Sequence, residues 1–135
     1  MSTLITQTVQ SNTSGPPVFK NSSGTEKGQL VKAWANIETS TSTSPGESKT
    51  INGSFNISSC TDINLGQHQI TFTSAFSNAN YCVVATTGHN NMTSQLNATA
   101  EVREIATTGF KIIAEDVDAA YVDRDKLYIA VFGGG

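Results

Sequence analysis

The chain has 135 residues, of which 14% are charged, and a formal net charge of -3 at pH 7. That length fits one domain around one core. Its eight Lys and Arg residues are spread along the sequence and make no basic footprint for phosphate, which argues against nucleic acid as a partner. No apolar run reaches the roughly 18 residues of a membrane span, and Met1 to Gln10 lacks the pattern of a secretory signal. Thr, Ser and Asn number 18, 15 and 11, a composition suited to exposed strand faces and turns and poorly suited to helix interiors.

Residues 1–28 are polar with scattered apolar positions at Leu4, Ile5, Val9, Val18 and Phe19, broken by Gly15-Pro16-Pro17. So few anchors cannot build a core, and the stretch reads as an extended N-terminal arm that packs on a neighbour. The body spans 29–135. Leu30 to Ile37 alternates at a period of two, a strand with Trp34 as its largest core anchor. The Thr/Ser-rich run to Ser48, with Pro45-Gly46, is a loop. Ile51, Gly53, Phe55 and Ile57 share one face of the next strand, with Phe55 placed in the core.

Asn64-Leu65-Gly66 turns the chain into His68, Ile70 and Phe72, again at period two. Phe76 to Asn80 is a short loop. Tyr81 to Thr86 is nearly continuous in apolar character and reads as a strand covered on both faces, with Tyr81 in the core. Gly88 to Asn97 is a polar loop. Ala98, Ala100 and Val102 alternate, Thr107-Thr108-Gly109 turns, and Phe110, Ile112 and Ala114 continue. An acidic connection leads to the last strand, Leu127 to Phe132. Eight or so short strands with frequent turns and no helical period predict an all-β fold, an antiparallel β-sandwich or barrel-like domain.

These strands carry a family resemblance. Lys32 to Ile37 resembles the "KAWxNF" opening of a domain in tail-fibre-like proteins of tailed bacteriophages, and Ser54 to Asp62 is similar to its "SFNVSSITD" segment. Ile70-Thr71-Phe72, Ala79 to Val84 and Leu127 to Phe132 match its later "VxF", "ANYxVV" and closing-strand elements. Gln7 to Gln10 followed by Gly15 resembles its leader. The sequence departs from the pattern at Cys60 and Cys82, where the family carries small or aliphatic residues, and 88–125 matches only loosely. The resemblance implies a homotrimeric virion component, a tail fibre piece or a capsid decoration (cement) subunit, exposed on the particle and in contact with other virion proteins.

Chemistry-bearing residues are sparse. Cys60 and Cys82 read as two unpaired core thiols, since a lone pair of cysteines is weak evidence for a disulfide framework. Glu115, Asp116, Asp118, Asp123 and Asp125 lack the glycine and ligand spacing of a calcium loop and read as a solvated connection. His68 shares the face of Ile70 and Phe72, so it reads as a satisfied inward or interface imidazole. No nucleophile elbow, phosphate-cradling loop or zinc spacing occurs, so no catalytic residue, cofactor or metal is expected. The candidate binding residues are His89, Asn90 and Asn91 in the polar loop and Tyr121 in the acidic connection, where rigid strands hold loops up to a host-surface glycan or protein.

Overall fold

The computed structural model describes residues 18–20, 22–24, 26–39, 44–90 and 98–134. Within them the chain forms β1 (Val18–Lys20), β2 (Glu26–Gln29), β3 (Ala33–Glu38), β4 (Thr50–Phe55), β5 (Ile57–Asn64), β6 (Gln67–Phe72), β7 (Tyr81–Gly88), β8 (Ala98–Ala106), β9 (Gly109–Asp116) and β10 (Lys126–Gly133). β1 and β2 pair antiparallel, so the end of the stretch read as an extended arm folds back on itself. Leu4, Ile5 and Val9 lie outside the described residues.

The other eight strands form two antiparallel four-stranded sheets, β4-β3-β10-β7 and β5-β6-β9-β8. Each turns one face inward, as a sandwich requires. Ala33, Ala35 and Ile37 of β3 and Leu127, Ile129 and Val131 of β10 line the first sheet's inner face, and all six are buried. Opposite them lie Ile57 and Cys60 of β5, Ile70 and Phe72 of β6, and Phe110 and Ile112 of β9. At one end of this core Phe72, Phe76, Tyr81 and Phe110 cluster, with the Phe72 and Phe76 rings stacked at 4.4 Å and Tyr81 edge-on to both. Phe72 and Tyr81 are thus the core anchors that their patterns predict.

Trp34 and Phe55 are not. They remain 43% and 47% exposed on the outer face of the first sheet. In β3 the apolar set is Ala33, Ala35 and Ile37, and Trp34 shares its parity with Asn36 and Glu38. Leu127, Ile129 and Val131 of β10 pair with Ile37, Ala35 and Ala33 and carry that set inward, which turns the tryptophan out. Phe55 is turned out by a bulge in β4: Ile51 pairs with inward-facing Ile37, but Gly53 pairs with Asn36 and Phe55 with outward-facing Trp34. Asn56 takes φ 54°, its side-chain amide bonds Ser74 O at 3.2 Å, and its Oδ1 accepts the Ser74 N–H at 2.8 Å. Ile57 then starts β5 in the opposite sheet, facing in. A left-handed Asn resets the alternation at that corner.

β7 differs from its expected two-sided cover for the same reason. Tyr81 is buried, while Cys82, Val84 and Thr86 are exposed. The two cysteines therefore part company: Cys60 is a core thiol, pushed up to about 12 by burial, and Cys82 is exposed and free. The Asn64-Leu65-Gly66 turn stands as read. Gly66 has φ +65°, and a Cβ there would lie 2.7 Å from Ala114 O and Val122 N, so the turn can close against β9 only with glycine.

Candidate functional site

Two surface features stand out from this frame. The first is at the end of the sandwich where β3, β7 and β10 finish or begin together, since Lys126 pairs with both Glu38 and Gly88. This register brings His89 and Asn90, just past β7, onto Arg124 and Asp125, just before β10. His89 Nδ1 lies 3.1 Å from Asp125 Oδ2, and the Asn90 N–H donates to the same oxygen at 2.7 Å. Arg124 Nη1 lies 2.8 Å from His89 Nε2. A guanidinium can only donate, so Nε2 accepts and Nδ1 carries the proton that goes to Asp125. Both imidazole nitrogens are thereby engaged, which is an arrangement for holding a loop.

The Asn90 N–H, then the His89 bond and the charge of Lys126, hold the Asp125 carboxyl below the usual aspartate range. Arg124 is itself buried, and Thr39 donates its hydroxyl to Arg124 O. Lys126 also pairs with Glu38, which is within 3.4 Å of the Asn90 amide. Beside this network is an open cleft of about 360 Å³ lined by Thr87, His89, Thr99, Asp116, Val117 and Arg124 among others.

Of the four predicted binding residues, His89 and Asn90 belong to this network. Asn91 lies outside the described residues. Tyr121, 40% exposed, is not among the cleft residues: it bridges Glu115 on β9, on the side of the second sheet. The acidic connection is more than a solvated one. Asp116 Oδ1 accepts the N–H groups of Asp118 and Ala120, and Asp123 Oδ1 accepts that of Gly66 at 2.7 Å, so these carboxylates fold their own loop and pin it to the β5–β6 turn. Arg124 and Asp125, the partners of His89, carried no local signal that sets them apart. Only the β3–β10–β7 register makes them neighbours.

The second feature is the outer face of the first sheet. Cross-strand pairing lines up Phe55, Trp34, Ala130 and Val84 in one row across all four strands. Asn36, Tyr128 and Thr86 form the next row, and Phe132 pairs with Cys82 on the other side. Val84 is 58% exposed, Tyr128 40% and Phe132 37%. The outer face of the second sheet is the reverse. It presents Gln67, Gln69, Thr71, Glu101, Arg103, Lys111 and Glu115 around the buried Ile113, which pairs with Gln67 and Glu101, and Arg103 is paired to Glu101 at 2.7 Å.

No known protein family and no curated protein matches the chain. Among solved structures, the chain is similar to the phiAB6 tailspike, a structure solved in complex with three-repeated oligosaccharides of Acinetobacter baumannii surface polysaccharide. The likeness has a TM-score of 0.55 at 16% sequence identity and covers 96% of this chain and 30% of the tailspike. At that identity the two share a fold, and this chain spans under a third of the tailspike's length.

Proposed function

We propose that this chain is a non-catalytic structural component of a bacteriophage virion, a tail-type subunit that assembles as a homotrimer on the particle surface. The observation that carries this reading is the fold, which is shared along nearly the whole chain with part of a phage tailspike. The tail-fibre-like motifs, which lie on β3, β4–β5, β6, β7 and β10, support it independently. In this reading the protein works by assembly: subunit contacts stabilise the particle, and the polar second sheet keeps it soluble. The closed hydrogen bonding of His89 leaves it no free nitrogen for base catalysis, in keeping with a structural role. Imaging intact virions labelled with a gold-tagged antibody against this chain tests the proposal. Label along the tail or its fibres supports the tail-type role, label over the head moves the chain to capsid decoration, and unlabelled particles overturn the virion reading.

The cleft at the loop end favours a second reading, a module that recognises a host-surface glycan. Threonine hydroxyls, a carboxylate and an arginine around about 360 Å³ can bond the hydroxyls of a sugar ring. A ligand of the folded state must raise its melting temperature, so a thermal-shift screen with host polysaccharide fragments tests this reading. A shift that vanishes in Thr99→Val supports the cleft; no shift with any fragment removes it.

A further inference from the structure

We infer that the outer face of the β4-β3-β10-β7 sheet is the surface through which this chain packs against further copies of itself. The inference rests on the homotrimer proposed above and assigns it a place on the molecule.

A sandwich needs apolar residues on its inner faces only, and a sheet facing water alternates apolar-in with polar-out. The second sheet largely obeys this with its glutamines, threonines and ion pairs, and Ile113, the apolar residue among them, is buried. The first breaks it. Phe55, Trp34, Val84, Tyr128 and Phe132 are all over a third exposed on the same face, and the row from Phe55 to Val84 crosses every strand without interruption. Flat seating adds to this. A Cβ at Gly53 would lie 3.4 Å from the Trp34 ring, and one at Gly88 would lie 3.1 Å from the Tyr128 ring, so glycines let both rings lie against the sheet. Five large side chains exposed to this degree offer on the order of 400 Å² of apolar surface. That matches the largest patches on monomers, which are commonly functional. Asn36 and Thr86 add polar surface beside it, and the whole falls in the range of a small interface rather than the roughly 800 Å² per partner of a standard one.

Charge identifies the occupant. Among the described residues of its four strands, the face carries ionised groups only at one end, Glu38 and Lys126, and these pair with each other; Lys32 lies just before β3 at the other end. A copy of the same face therefore meets no net charge of its own sign, and apolar surface is complementary to itself. Three copies with these faces turned to a common axis cover all of them.

The test uses the full chain, wild type beside Trp34→Asp, Val84→Lys and Arg103→Ala, the last on the opposite sheet. Two measurements are made: the mass in solution by light scattering, and the rate at which a maleimide labels the thiol. Cys82 lies on the face in question and Cys60 is buried, so labelling reads the face directly. The expected wild-type mass is three times the 14.3 kDa of one chain, unchanged in Arg103→Ala. Trp34→Asp and Val84→Lys fall to one chain mass with an unchanged circular dichroism spectrum, and Cys82 labels about tenfold faster in them. Either variant alone suffices should the other not fold. If wild type and both variants assemble alike and label alike, the face assignment is wrong while the homotrimer stands. If wild type is a single chain with Cys82 freely labelled, assembly and face both fail. A single chain whose Cys82 is protected until residues 1–17 are removed also overturns the inference, because the face is then covered by the chain's own leader.

Discussion

Lys49 and Asp62 form a deeply buried ion pair. Backbone pairing of Ser48 with Thr61 sets them diagonally on neighbouring strands, and their side chains meet at 2.8 Å with 2% and 1% exposure. An ion pair so deep gains little over apolar residues of its size, but each member alone is a buried charge. Lys49→Met is therefore expected to cost about 3–5 kcal/mol, and Lys49→Met with Asp62→Leu to restore most of it. Urea unfolding of the two variants checks this; equal losses in both mean that packing, not charge, sets the cost. His68 lies opposite Asp62 in the β5–β6 ladder and is also buried. Burial, assisted by the Lys49 charge, lowers its pKa against the opposing pull of Asp62 and Asp123. The unfolded chain then binds a proton near the ordinary value of 6.5 that the folded chain refuses. The His68 contribution is complete above that pH and declines as pH falls below it, until the folded-state pKa is reached. Urea midpoints at pH 7 and pH 5.5 are expected to differ in that sense, and His68→Leu to shrink the difference.

At the scale of elements, single side chains tie strands of different sheets together. Tyr81 opens β7 in the first sheet, and its hydroxyl lies 2.9 Å from both Ala106 O and Gly109 O at the β8–β9 turn of the second. Its ring completes the aromatic cluster. Tyr81→Phe keeps the ring and leaves the Gly109 carbonyl buried without this donor, so a loss of about 1 kcal/mol is expected. A lower denaturation midpoint at unchanged slope is the signature. The close approach there has a second cause. A Cβ on Gly109 would fall 2.0 Å from Ile70 O, so β9 can enter the sheet beside β6 only because residue 109 is glycine. Asn56 does the corresponding work at the β4–β5 corner, where its side chain replaces a backbone partner for Ser74 and lets one strand leave a sheet as the next joins the other.

The whole molecule is asymmetric in its solvation. One outer face is charged and hydrogen-bonded, and the other is aromatic. Self-association through the latter links stability to concentration, because the assembled state is favoured by mass action. The melting temperature of the wild type is expected to rise steadily as protein concentration is raised about a hundredfold, and that of Val84→Lys to stay constant. A wild-type melting temperature independent of concentration would count against assembly at any face. The loop end has a separate part in this design. The His89, Arg124 and Asp125 network joins β7 to β10 at the end of the first sheet and so fixes the geometry of the cleft wall beside it.

Much of this architecture was legible in the sequence. Period-two alternation in 67–72 and 109–116, the turn residues Gly66 and Gly109, and the abundance of Thr, Ser and Asn each report local backbone physics, and they predict an all-β antiparallel domain with His68, Phe72 and Tyr81 inside. The alternation could not say which face of β7 was covered, because apolar residues occupy both parities there, and in β3 the size of Trp34 competed with the set Ala33, Ala35 and Ile37. Trp34 and Cys82 were placed in the core on side-chain character and Phe55 on its alternation with Ile51 and Ile57; pairing with β10 and the bulge in β4 turned them out. Nor could it bring His89 to Asp125, a contact across 36 residues that follows from strand register alone. Local pattern determined what each segment is. Which side of it meets water, and which loops meet each other, depends on pairings between distant strands, and only the tertiary structure decided those.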